Sequence, residues 1–144
     1  MRYMFIVKGS ESLAVSGPPS AALVEAIERS VEEAVKTGRV VSFGGLKPTS
    51  SGARMRITKG KIVTTDGPFT EAKEVIGGFS IFNLASKEEA LEEARTFTEL
   101  HRVHWPNWEG EIEIRQMYEE ADDMRTEQIE GSRLLEHAGG VRSD

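Results

Sequence analysis

Residues 64–79 read Thr-Thr-Asp-Gly-Pro-Phe-Thr-Glu-Ala-Lys-Glu-Val-Ile-Gly-Gly-Phe, and they lie between a predicted β-hairpin and the second half of the chain. Asp66 is the only aspartate among the first 121 residues, although glutamate is abundant. The Asp-Gly-Pro cluster is typical of a tight turn. Two interpretations of Asp66 stay open: its carboxylate accepts backbone hydrogen bonds within its own turn, or it contacts a ligand.

The hairpin before this stretch is predicted from alternating residues around the dipeptide Lys59-Gly60. Two alternating segments joined by a short turn that contains glycine are typical of a hairpin. Met55 and Ile57 then share one face, and the arginines share the other. The two strands are predicted over residues 54–58 and 61–64.

Two amphipathic helices are predicted, one before the hairpin and one after it. The first spans residues 21–37, and its apolar stripe has a spacing of four residues: Leu23, Ile27, Val31 and Val35. The second begins at Ser86, whose spacing to Glu89 matches a capping box. Its predicted buried face consists of Ala90, Leu91, Ala94 and Phe97.

The remaining apolar segments complete the predicted fold. Strands are expected over residues 3–7, 40–46, 79–84 and 111–116. The order is therefore strand–helix–strand, hairpin, strand–helix–strand. Right-handed crossovers then give an α+β fold of ferredoxin-like type, with one antiparallel sheet and both helices on one face. The opposite face of the sheet is left bare and needs a partner.

Composition limits the class of protein. The chain has 144 residues, which suits one domain over residues 1–118 followed by an acidic extension, 119–144, that we expect to be partly helical. The sequence contains no cysteine, and its N-terminus has no cationic region followed by an apolar span. No window approaches the roughly 20 apolar residues of a membrane-spanning helix. We therefore expect a cytoplasmic protein with no membrane contact.

Charge is unevenly distributed along the chain. Residues 109–136 hold ten acids against three bases. No acid occurs between Glu33 and Asp66, whereas seven bases do: Lys36, Arg39, Lys47, Arg54, Arg56, Lys59 and Lys61. The hairpin in this basic region has no aromatic residues for base stacking, and the net charge of the chain is −6, so we expect no nucleic-acid partner. The acidic extension, residues 119–144, is a better electrostatic match for this basic region.

The residues Asp66-Gly67-Pro68-Phe69, followed by Thr-Glu-Ala-Lys-Glu and Gly77-Gly78, resemble the DGPF signature of the YCII-related superfamily. The segment 101–111 also resembles the segment that closes the domain in one DGPF subgroup. This resemblance implies that two sheets pair into a dimeric α+β barrel, so we expect a homodimer. It also implies that the signature positions form a ligand site, with contacts from Gly67, Pro68, Phe69, Glu71 and Lys73.

Histidine is scarce, and the resemblance implies a His–Asp pair whose histidine comes early in the chain. No histidine precedes His101 here, so His101 would have to take that place as the acid–base partner of Asp66. Alternatively, His101 stabilises the end of the second helix as a cation. A metal shared with His104 would need a third ligand, and we expect no metal and no cofactor.

Trp105 and Trp108 flank Pro106, beside the two histidines. Trp105 could wall a ligand pocket or simply cap the end of the barrel. Two functions therefore remain open. The protein binds a small polar ligand in a cleft of the dimeric barrel, with acid–base chemistry by Asp66 and His101. Alternatively it is a non-catalytic regulatory module, since the resemblance implies an association with sigma-factor-type transcription control.

Overall fold

The computed structural model describes residues 1–10 and 19–119, which contain two antiparallel sheets and two α-helices. The strands are β1 (Arg2–Gly9), β2 (Val40–Gly45), β3 (Ala53–Thr58), β4 (Lys61–Asp66), β5 (Val75–Asn83) and β6 (Glu111–Gln116). The helices are α1 (Ala21–Lys36) and α2 (Lys87–His104), and a short 3₁₀ turn covers Thr49–Ser51.

Four strands form the main sheet in the order β2-β5-β1-β6, and every neighbouring pair is antiparallel. Strand β5 lies between β1 and β2, although both α1 and the hairpin separate it from β1 along the chain. This is the split strand–helix–strand arrangement of a ferredoxin-like α+β fold. The fold class predicted from the order of elements is confirmed at this level.

Alternation along the strands divides the main sheet into two faces. Tyr3 and Phe5 of β1 are buried, and the ring of Phe5 stacks on that of Phe82 at 4.7 Å. These side chains form one core with residues of both helices: Val31, Ala34, Ala90 and Ala94. The helices therefore cover one face of the sheet, as predicted, and the intervening residues of each strand belong to the other face.

The predicted helical stripes are wrong at two positions. Val35 and Leu91 are each 50% exposed, whereas Ala34 is 6% exposed. A spacing of four residues advances about 40° around a helix at every step, so Val35 is rotated by about 120° from Leu23. Ala34 is rotated by only about 20°, and it takes the core position instead. In α2, one residue step rotates by about 100°, so Leu91 points well away from its buried neighbour Ala90.

The β3–β4 hairpin forms a separate two-stranded sheet. Its turn has positive φ angles at Lys59 (51°) and Gly60 (75°), the signs that a type I′ turn requires at both central residues. The predicted turn and the predicted division of faces are confirmed. One face carries Met55, Ile57 and Ile62, which are exposed by 78%, 78% and 72%, and we call these three side chains the apolar stripe.

The predicted helical part of the acidic extension falls outside the described residues. The carboxylate of its first residue, Glu119, forms an ion pair with the terminal ammonium of Met1 at 3.0 Å. No helix in the described part of the chain is long and apolar enough to cross a membrane.

Candidate functional site

The loop that follows β4 is held by the 3₁₀ turn at Thr49–Ser51. The Gly67 N–H donates to the carbonyl of Gly52 at 2.9 Å, and the Phe69 N–H donates to Thr49 Oγ1 at 3.2 Å. A Cβ atom on Gly67 would lie 1.7 Å from the carbonyl oxygen of Thr49, so only glycine fits this approach. The Gly67–Pro68 peptide bond is cis, and Pro68 is exposed.

Phe69 and Glu71 meet at one arginine of the hairpin. The Phe69 side chain is buried, and the guanidinium of Arg54 lies 3.8 Å from the centre of its ring. Arg54 also donates to Glu71 Oε1 at 3.0 Å. A cation over an aromatic face is stabilising, and the carboxylate holds that cation in place. These signature positions therefore join the hairpin to the loop.

Asp66 ends strand β4 opposite Ala53, and its side chain is exposed. Within residues 1–10 and 19–119, its carboxylate makes neither a hydrogen bond nor an ion pair. It is thus held neither by its own turn nor by His101. The carboxylate is available to a ligand or a second protein chain, and its predicted catalytic role stays a prediction.

His101 is 4% exposed and lies between aromatic rings near the end of α2. The ring centroids of Phe97 and Trp108 are each 4.8 Å from that of His101. Its Nδ1 lies 2.9 Å from the carbonyl oxygen of Phe97, a contact in which the nitrogen must be the donor. Burial lowers the pKa of His101, against a smaller opposing effect of this hydrogen bond. The ring is therefore neutral at pH 7, with Nε2 as its acceptor.

Burial of a neutral His101 makes stability depend on pH. Because its pKa is lower folded than unfolded, the unfolded chain binds protons more readily below the ordinary value of 6.5. Protonation of His101 therefore leaves the free energy of unfolding unchanged above pH 6.5 and lowers it as the pH falls from 6.5 toward the lowered pKa. We expect His101→Gln to reduce the loss of unfolding free energy between pH 7.5 and 5.5, measured by urea denaturation. An unchanged pH dependence would contradict a buried neutral His101.

An open cavity of about 580 Å³ lies where β1 ends, β5 begins and α2 leads into β6. Lys73 and Trp108 both line it, together with Lys8, Thr98, Arg102 and Glu74 among others. Trp105 stacks on Trp108 with ring centroids 6.1 Å apart. Trp108 therefore lies between the buried His101 and the cavity, and its indole forms the aromatic wall of the cavity.

The charges around this cavity are mostly neutralised. Lys8 is 19% exposed and lies among three carboxylates, with Glu113 at 3.3 Å, Glu111 at 3.9 Å and Glu74 at 4.0 Å. The guanidinium of Arg102 is held by the carboxylate of Glu99 through two hydrogen bonds. Lys73 forms no ion pair within the described residues. It is thus the cation that a ligand in this cavity could reach.

The predicted site residues fall into two groups. One surrounds Arg54 and contains Phe69 and Glu71, with Gly67 in the same loop against Thr49 and Gly52. The other surrounds Trp108 and contains His101, Trp105 and, through the cavity, Lys73. Within the described part of the chain, no hydrogen bond joins Asp66 to His101. No group of three His, Asp or Glu side chains there could hold a metal ion.

Sequence reasoning missed Lys8, Arg54 and Arg102 as parts of these groups. The closeness of Lys8 to the acids of β6 follows from strand pairing, in which Lys8 lies opposite Glu111. Trp108 was visible as the second tryptophan of Trp-Pro-Asn-Trp, but nothing local indicated that it covers His101.

The chain is similar to a known protein family and to a known protein. The profile of the YCII-related domain matches residues 1–101. An uncharacterized protein of Rhizobium meliloti (strain 1021) is 40% identical over 72 residues. That match covers 50% of this chain and 56% of the relative. The chain thus spans little more than half the length of this curated relative.

Proposed function

Since this chain belongs to the YCII-related family, we propose that it binds a small polar ligand in the cavity between Lys73 and Trp108. The observation that carries this proposal is the pairing of one cation that lacks an ion pair among the described residues with an aromatic wall. Pockets that combine apolar surface with a few placed polar groups are typical of small-molecule sites.

The cavity favours a planar ligand with one negative charge. The indole of Trp108 offers a flat apolar surface on which such a ligand can stack, and the Lys73 ammonium can pair with its charge. Lys8 and Arg102 already have carboxylate partners and supply little further attraction. A ligand with several negative charges would also meet Glu74, Glu109 and Glu111 in the lining.

Acid–base chemistry is the finer part of the proposal. A neutral His101 whose Nδ1–H is held by Phe97 keeps Nε2 as a proton acceptor near pH 7. Asp66 does not line this cavity and is not hydrogen-bonded to His101, so it would not orient this imidazole. Because Trp108 lies between His101 and the cavity, proton transfer to a ligand there would also require Trp108 to move aside.

We also propose that two copies pair through the sheet face opposite the helices, as a dimeric α+β barrel. That face carries Met4, Ile6, Phe79 and Ile81, which are only half-buried in one copy. A sheet face of this kind is stabilised when a second sheet covers it. We further propose that the protein is cytoplasmic, as expected from the sequence.

The ligand site is tested by native mass spectrometry of protein purified gently from cell extract. We expect the wild type and Lys87→Ala, which changes an exposed lysine at the start of α2, to retain the same small molecule. Lys73→Ala should retain at least about tenfold less, because an ion pair with a ligand is lost. Equal retention by Lys73→Ala would contradict the assignment of the ligand to this cavity.

The second candidate is a binding module without a reaction. The observation that favours it is the lack of a hydrogen bond between Asp66 and His101, which leaves no assembled catalytic pair among the described residues. Such a module would act in sigma-factor-type transcription control through its ligand or its partner. A retained ligand that the protein leaves chemically unchanged would favour this candidate over an enzyme.

A further inference from the structure

The β3–β4 hairpin exposes an apolar surface for which its own copy provides no cover among the described residues. Met55, Ile57 and Ile62 of the apolar stripe are all more than two-thirds exposed. An isolated two-stranded hairpin is at best marginally stable in water. Three large apolar side chains together on such an element indicate a surface that packs against something else.

The tip of the hairpin is also basic and unpaired. Arg56, Lys59 and Lys61 form no ion pair within residues 1–10 and 19–119. Among the described residues, Glu111 and Glu113 on strand β6 form an acidic surface of opposite charge. These two carboxylates share one cation, Lys8. The side chain of Glu111 is 62% exposed. One copy of the chain therefore carries both halves of a complementary pair of surfaces.

Strand order keeps these two surfaces apart within one copy. The hairpin leaves the main sheet from the end of β2 and returns to the start of β5, whereas β6 is the opposite edge. Both lie at the same end of the strands, because Gly45 pairs with Gly78 and Glu111 pairs with Lys8 near the end of β1. About three strand spacings, or roughly 14 Å, separate the two edges.

A two-fold axis between two facing sheets, parallel to the strands, would exchange these edges. It brings the β2 edge of one copy over the β6 edge of the other without reversing the direction of the strands. The hairpin of each copy then lies at the acidic end of β6 in its partner. Both contacts form together, because an interface with two-fold symmetry is isologous.

We propose that the hairpin is an arm that packs on a second copy of this chain, with its apolar stripe at the rim of the facing sheets and its tip lysines against Glu111 and Glu113. This inference rests on the proposed dimer and adds the arm contact to it. The arm extends the apolar interface beyond the facing sheets and stabilises the hairpin in return.

Charge exchange between two variants tests the arm. Sedimentation equilibrium at low salt should give a dimer dissociation constant about tenfold higher for Lys61→Glu and for Glu111→Lys than for the wild type, since each change acts twice in a symmetric dimer. An equimolar mixture of the two variants should form heterodimers with nearly wild-type affinity. In the heterodimer the unchanged Lys61 faces the unchanged Glu111 and the two reversed charges face each other, so both contacts again join opposite charges.

The controls separate this inference from the dimer itself. Lys87→Glu, at the start of α2, should leave the dissociation constant unchanged. Replacing Met55 and Ile57 by serine should weaken the dimer at all salt concentrations. A wild type that is monomeric would overturn the proposed dimer, whereas a dimer that is insensitive to Lys61→Glu and Glu111→Lys would overturn the arm alone. If removal of residues 120–144 weakens the dimer as much as these variants do, and the mixture of variants does not recover affinity, then the basic tip contacts the acidic extension instead.

Discussion

Gly67→Ala should lower the free energy of unfolding by about 3 kcal/mol. The added methyl carbon would lie 1.7 Å from the carbonyl oxygen of Thr49, far inside the contact distance of two such atoms. That oxygen belongs to the backbone of a 3₁₀ turn and cannot rotate away as a side chain could. The loop and the turn must separate, which breaks the hydrogen bond from Gly67 to Gly52. Urea denaturation at one fixed protein concentration measures the change.

Gly77→Ala is the matched control for this substitution. Gly77 lies in β5, and a Cβ atom there would have no atom within 4 Å. We therefore expect a change of no more than about 0.5 kcal/mol. A similar loss in both variants would mean that general effects of alanine, rather than the close approach to Thr49, explain the first result.

Phe82→Ala should cost about 3 to 5 kcal/mol of unfolding free energy. Phe82 is 2% exposed, lies at the centre of the core between sheet and helices, and stacks on Phe5 at 4.7 Å. Its removal takes apolar surface out of the core and leaves a cavity that the rigid strands cannot close. Thermal and urea denaturation should both report the loss.

Leu91→Ala provides the comparison on the surface of α2. Leu91 is 50% exposed, so its truncation should change the free energy of unfolding by less than about 1 kcal/mol. A cost near that of Phe82→Ala would contradict the rotation of α2 described above and restore the buried face that periodicity alone predicted.

Elements with local causes were predictable from the sequence. The turn at Lys59-Gly60 depends on two residues, and the cap at Ser86 depends on a hydroxyl that accepts from the Glu89 N–H three residues later. The strand Glu111–Gln116 has the predicted bounds. In each case the deciding interactions span at most a few residues, so their pattern is written in consecutive letters.

The candidate site was predictable only in part. The signature loop identified Gly67 and Phe69, but their partners Thr49 and Arg54 lie in other elements. The aromatic layer around His101 could not be foreseen, since it needs the loop after α2 to fold back over the helix.

By itself, the sequence determined the order of strands and helices, the position of the hairpin turn at Lys59-Gly60 and the family to which the chain belongs, because these depend on local pattern. Only the tertiary structure decided that Val35 faces solvent and that Trp108 separates His101 from the cavity. It also decided that Asp66 is not hydrogen-bonded to His101. These outcomes depend on the rotation of each helix and on contacts between residues far apart in the chain, which many weak packing energies set together.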